Sequence, residues 1–188
     1  MVGLIPNLLL KLIQSAAGPE AVAKVLERAG LSPDFRFAIN RAYPQEVWQR
    51  LYAAALEVLH IDQEEAESLY AEFFVRDALA RFPRWFQMCR NSYEFLCLQP
   101  KIHNAFATGL TDPAERKAML DKFCMRAEAN RVFMVYRSAN RLCGLYIKLV
   151  RQIASHYGDD VDIEEPECAK RAGDCCRIEV TWRKLAHV

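Results

Sequence analysis

The stretch VYRSANRLCGL, Val135 to Leu145, sets a phenol, a hydroxyl, an amide and two guanidinium groups at a junction between a strand-like and a helix-like segment. Tyr136 and Ser138 stand two apart, and on a strand that spacing sends both side chains to one face. Their hydroxyls could donate to a carboxylate, and an arginine would add a bidentate charged bond. Asn140 can donate but carries no charge. Arg141 can supply the guanidinium if the backbone turns early, whereas Arg137 points the other way along a strand. The local alternative is that Ser138 or Asn140 caps the following helix and the arginines are solvated.

Thiols form a second constellation. Of 7 cysteines, an odd number, Cys143, Cys168, Cys175 and Cys176 gather in the last quarter of the chain. Four thiolates can close a structural zinc site, and the same groups can act as a thiol redox sensor or remain reduced core thiols. Their spacing is not the paired CxxC pattern. Adjacent strand residues face opposite ways, so Cys175 and Cys176 cannot both chelate without a bulge or turn. Cys143, Cys168 and Cys176 are the trio that fits. Cys89, Cys97 and Cys124 lie among apolar neighbours and read as core. His103, on an apolar helix, is either a metal ligand through its neutral imidazole or a hydrogen-bonded core residue. His60 and His156 fall near helix ends, and His187 lies in a tail.

Composition narrows the function classes. With 52% hydrophobic and 26% charged residues the chain reads as an ordinary soluble globular domain. A net charge of +1 makes no electrostatic case for nucleic acid or an anionic membrane. The opening MVGLIPNLLLKLIQ is interrupted by Lys11 and Gln14 too early to span a bilayer, and it lacks a basic leader and a cleavage site. Without a secretion signal, reduced thiols in the cytoplasm are expected. No GxSxG, HExxH, P-loop or dinucleotide pattern proposes catalysis, so no enzyme is expected. The acids Asp159, Asp160, Asp162, Glu164 and Glu165 read as a solvated edge.

These groups must be positioned by helices first and strands later. Helical periodicity runs from Leu4 to Gly18-Pro19, from Pro19 to Gly30, through PQEVWQRLYAAALEVLH, and through a segment opened by Asp62 with Glu65 as a capping box. FPRWF follows, and RNSYEFLCLQPKIHNAFATG reads as one helix, bent at Pro100 and closed by Gly109. After Pro113, DKFCMRAEAN and RVFMVYRS alternate as an antiparallel pair. RLCGLYIKLVRQIASHYG returns to helical spacing, and VDIEEPECAK and CCRIEVTWRK form two more strands around Ala172-Gly173-Asp174. The expected class is α+β: a helical N-terminal subdomain (about residues 1–65), then a subdomain (about 66–188) with a four-stranded antiparallel sheet and a crossing helix, all in one domain.

In order and approximate spacing, MVGLIPNLLLKLIQ, LHIDQEEAESLYAEFFV, FPRWF, NSYEFLCLQPKIHNAF and VYRSANRLCGLYIKLV resemble the H-NOX (heme-nitric oxide/oxygen binding) domains over nearly the whole chain. The resemblance implies heme b between the two subdomains, with His103 as the axial iron ligand. The family's propionate clasp is a tyrosine, a serine two later and an arginine two after that. Tyr136 and Ser138 match it, Asn140 replaces the arginine, and Arg141 follows. Ile5, Leu9, Phe74, Ala78, Leu145 and Leu149 fall where members line the gas side. Leu145 takes the slot of the tyrosine that oxygen-binding members use, with Tyr146 one residue off. The implied ligands are therefore NO and CO rather than O2. One bacterial branch is similar in carrying zinc on cysteines placed like those here. A stand-alone H-NOX domain implies signalling in trans, to a histidine kinase or a diguanylate cyclase, by release of the proximal histidine. Two readings of other classes stand beside it: a heme-free ligand-binding or docking module resembling the vinyl-reductase-type domains, favoured by Asn140, and a cysteine or zinc redox sensor of the same fold.

Overall fold

A computed structural model describes residues 1–171 and 173–187; of the expected turn, Ala172 lies outside the described residues. The chain opens with α1 (Leu4–Arg28). The two helices expected around Gly18-Pro19 run as one element broken at Gly18, whose φ of 82° is left-handed backbone that a side chain would strain. Gly30, also at positive φ, follows its end. Helix α2 (Gln45–Leu59) packs on α1 and ends at His60 in a left-handed cap. Helix α3 (Gln63–Arg81) starts where the Asp62 carboxylate accepts the Glu65 backbone N–H at 2.8 Å.

FPRWF contributes the short helix α4 (Pro83–Gln87). Helix α5 (Ser92–Ala107) is capped by Asn91, which accepts from the Glu94 N–H, and carries Pro100 within it. Helix α6 (Pro113–Leu120) was not expected, because it buries none of its residues and so shows no apolar stripe. Its signals are at the start, where Asp112 caps and Pro113 occupies the first turn. Then come β1 (Phe123–Glu128), β2 (Arg131–Tyr136), α7 (Cys143–Tyr157), β3 (Asp160–Glu167), a 3-10 turn (Ala169–Arg171) and β4 (Cys176–Lys184).

The sheet is antiparallel throughout, in the order β1-β2-β4-β3. Its buried face, including Val132, Met134, Ile178, Val180 and Trp182, packs with Tyr146 and Val150 of α7 and Phe95 and Leu96 of α5 in one apolar cluster. A second cluster joins α1, α2 and α3 and takes in Leu145 from α7. Helix α3 serves both, giving Tyr70 and Ala71 to one and Ala78 and Leu79 to the other. Among the described residues, no helix is long and apolar enough to cross a membrane. The α+β arrangement is the one expected from the order of periodicities.

Candidate functional site

Between the two clusters lies an apolar cavity of about 260 Å³. Ile5 of α1, Phe74 and Ala78 of α3, and Leu145 and Leu149 of α7 line it, five of the six positions that the family resemblance implies. Leu9 does not: it is buried in the helical cluster, and Leu4 and Leu8 stand in the wall instead. Positions 4, 5 and 8 share one helical face, but Leu9 also follows Ile5 by one turn, so spacing alone does not separate Leu8 from Leu9.

His103 reaches the wall from the last turn but one of α5. Its ring lies 4.7 Å from that of Phe123, which in turn lies 5.0 Å from Tyr136. Among the described residues the imidazole has no hydrogen-bond partner. Burial alone lowers its pKa to about 4, because a charged ring would lose its hydration there. The residue is therefore neutral at pH 7, the form that can ligate a metal.

The donors of the strand-to-helix junction separate. Tyr136, Ser138 and Asn140 line the cavity and Arg141 does not. Tyr136 is buried, and desolvation pushes its phenol pKa up, so the hydroxyl keeps its proton and can donate. Ser138 Oγ accepts the Asn140 N–H at 3.3 Å, and Asn140 Oδ1 is buried without a partner in the structure. Arg141 is exposed at a φ of 52°, in a turn where its own N–H donates to the Ser138 carbonyl at 3.1 Å. The early backbone turn expected to carry its guanidinium to the site instead leaves it outside. Arg137 is exposed as well.

Tyr146, the phenol nearest in sequence to Leu145, donates to Gln99 Oε1 at 3.2 Å. Gln99 precedes His103 by one helical turn, so this hydroxyl is committed to the His103 helix. Sequence reasoning missed Gln99, and also Arg81, Asp77 and Lys122, all of which belong to the cavity wall.

The cysteines divide in the same fashion. Sγ atoms of Cys143, Cys168 and Cys176 and a carboxylate oxygen of Glu165 lie within 4.8 Å of one another. Cys143 and Cys168 are 3.7 Å apart, sulfur to sulfur. Burial raises the pKa of the Cys143 and Cys176 thiols. Glu165 Oε1 is buried without a partner, while Oε2 meets Arg171 at 3.3 Å. Cys175 is outside the group, with its sulfur 3.6 Å from Glu167 Oε1. Glu165 therefore does not belong to a solvated acidic edge. It shares the inward face of β3 with Val161 and Ile163, and that alternation was the missed signal.

A packing constraint lies between the two sites. Gly144 lies against the buried Glu67 of α3, whose carboxylate accepts from Gln63 at 2.7 Å and pairs with Lys170 at 3.3 Å.

The family model described as Haem-NO-binding matches residues 2–165. No curated protein matches the chain in sequence. Solved structures of the same architecture include an H-NOX protein from S. oneidensis in the Fe(II)NO ligation state, with a TM-score of 0.78 and 16% identity over 98% of this chain and 100% of that one. The unliganded Fe(II) H-NOX protein of K. algicida superposes with a TM-score of 0.74 and 18% identity over 100% of both chains. An oxygen-binding H-NOX domain related to soluble guanylate cyclases, in its oxygen complex, gives 0.74 and 15% over 100% of this chain and 98% of that one. These identities establish a shared fold, and the family model establishes descent: the chain belongs to the haem-NO-binding (H-NOX) family, whose members are heme-based gas-sensing domains.

Proposed function

We propose that this protein binds heme b with His103 as the axial iron ligand, and that it senses NO and CO rather than O2. The observation that carries the reading is His103 itself: a neutral imidazole, without a partner among the described residues, set in the wall of an apolar cavity that also carries Tyr136, Ser138 and Asn140. The residues fit the group, since an apolar slot suits a porphyrin and the hydroxyls suit its carboxylates. When bound, the heme would supply an iron centre able to take a diatomic gas.

The chain's own residues set the selectivity. Bound O2 is held by a donor within about 3 Å, and Ile5, Phe74, Leu145 and Leu149 have none to offer. The Tyr146 hydroxyl is engaged with Gln99. His103 is also the switch. Bound to the iron, His103 would tie α5 to the cofactor, and its release would leave α5 free to relax against Phe123 and the sheet. Such a switch needs the gas to favour one of two conformations, and the readout is a partner in trans, a cytoplasmic histidine kinase or diguanylate cyclase.

The cysteine group supports a second metal, Zn2+, which Cys143, Cys168, Cys176 and Glu165 would hold as a four-ligand structural site. The unpartnered Glu165 oxygen among three buried thiols favours it, because a dication would deprotonate the thiols and satisfy the carboxylate together. Cys175, one of the four thiols that the sequence offers, has its sulfur 3.6 Å from Glu167 Oε1 instead.

One observation favours the heme-free alternative, a ligand-binding or docking module: Asn140 stands where the family pattern has arginine, and Arg141 is outside the cavity. Absorbance separates the two. Wild-type protein given hemin, then dithionite and NO, should show a Soret band that shifts on NO addition, and His103→Gly should lose the NO-dependent change in partner activity. Absence of a Soret band, or an unchanged NO response in the variant, overturns the reading.

A further inference from the structure

We propose that Lys122 provides the positive charge for the heme carboxylates, replacing the arginine that the family pattern places two residues after Ser138. The inference rests on the heme reading above. Two propionates bring two negative charges, and Tyr136, Ser138 and Asn140 answer them only with neutral donors. A buried carboxylate without a counter-charge is costly, and a charged donor forms roughly twice as strong a hydrogen bond as a neutral one.

Two cationic side chains belong to the cavity wall, Arg81 and Lys122. Arg81 is already neutralised: its guanidinium pairs with Asp77 one turn earlier and lies over the Phe82 ring at 5.2 Å. Lys122 is different. It is half-buried, and among the described residues its ammonium has no carboxylate and no hydrogen-bond acceptor. Burial lowers its pKa, the sign of a charge that lacks compensation.

The backbone places it beside the clasp. Lys122 is the residue before β1, and its carbonyl accepts the Arg137 N–H at 2.9 Å. Arg137 lies between Tyr136 and Ser138, and Phe123 pairs with Tyr136 in the strand register. Lys122 is thus anchored across from Arg137, the residue between the two hydroxyl bearers. Lys122 is half-buried in the cavity wall, whereas Arg137 is exposed. The charge lost from the third position of the motif is returned by a residue that the sheet brings alongside.

The test compares hemin with its dimethyl ester, in which both carboxylates are blocked, on the wild type, Lys122→Met, Lys122→Arg and Arg141→Ala. Soret titration and the rate of heme loss to an acceptor globin give affinity, and urea midpoints of the apoproteins give stability. For hemin, Lys122→Met should weaken binding about tenfold or more, while Lys122→Arg and Arg141→Ala stay within about threefold. For the ester, wild type and Lys122→Met should bind alike. The Lys122→Met apoprotein should be as stable as wild type or more so, since an uncompensated cation has been removed. Hemin affinity unchanged in Lys122→Met, an equal loss with the ester, or an equal loss in Arg141→Ala overturns the proposal. If wild type binds neither porphyrin, it is the heme reading that fails, and this proposal with it.

Discussion

Gly144 is the position where one methyl group should be costly, and the cost can be worked from its surroundings. A Cβ there would stand 2.0 Å from Glu67 Oε2, 2.9 Å from Cδ and 3.1 Å from Oε1. To reach ordinary contact the carboxylate must retreat by roughly 1.5 Å. Glu67 is only 5% exposed and is held by Gln63 and Lys170, so the retreat breaks charged hydrogen bonds in a buried setting. Overpacking costs about 1–3 kcal/mol and a hydrogen bond to a charged group about 1.5–3 kcal/mol, against a gain of up to about 1 kcal/mol from replacing glycine in a helix. Gly144→Ala should therefore lose about 2–4 kcal/mol in urea unfolding, or roughly 5–12 °C in Tm for a chain of this size. The decisive arm is Glu67→Ala. With the carboxylate gone, and with Lys170 exposed enough to turn to water, Gly144→Ala should become neutral or stabilising. The double-mutant cycle should then return a coupling of about 2–4 kcal/mol. A single variant within about 0.5 kcal/mol of wild type, or the same loss in both backgrounds, would refute the argument by showing that Glu67 swings aside freely.

Two further outcomes follow from the site. The unfolded chain takes up a proton on His103 below its ordinary value near 6.5, whereas the folded protein does so only below about 4. The folded state thus binds fewer protons between these values, and the apoprotein loses stability as pH falls from 7 to 4.5, by about 2 kcal/mol through this residue. Urea midpoints at the two pH values should fall further in wild type than in His103→Leu; equal falls would dismiss the buried neutral imidazole. At the cysteine group, metal analysis of purified protein should find zinc retained in Cys175→Ser and lost in Cys176→Ser and Glu165→Ala. Zinc lost equally from Cys175→Ser would contradict the opposed directions of the two neighbouring side chains.

Much of the architecture was legible because it rests on periodicity. Apolar spacing marked α2, α3, α5 and α7, and alternation marked the four strands. The same alternation placed Tyr136 and Ser138 on one face and separated Cys175 from Cys176. What escaped depends on contacts between distant segments. Helix α6 buries nothing and so has no stripe to read. Glu165 was lost in a run of acids, although Val161 and Ile163 declare its face. Leu9 and Leu8 are equally apolar, and only the packing of α1 decides which of them meets the cavity. Arg141 was judged by chemistry, but its left-handed backbone turns it away from the site. Lys122 carries no motif at all; pairing with Arg137, across the sheet, sets it beside the segment that holds Tyr136 and Ser138.

The strand order β1-β2-β4-β3 has a consequence for the growing chain. β4 lies between β2 and β3, yet it is the last strand to be made. Until residues 176–184 leave the ribosome, β3 has no partner in the sheet and β2 presents an open edge, an invitation to pair with neighbouring chains. Cys176 arrives on the same strand, while Cys143 and Cys168 are already made. A metal ion captured by these thiols would meet its full ligand set only as the sheet closes, so metal capture and sheet completion become one late event in synthesis.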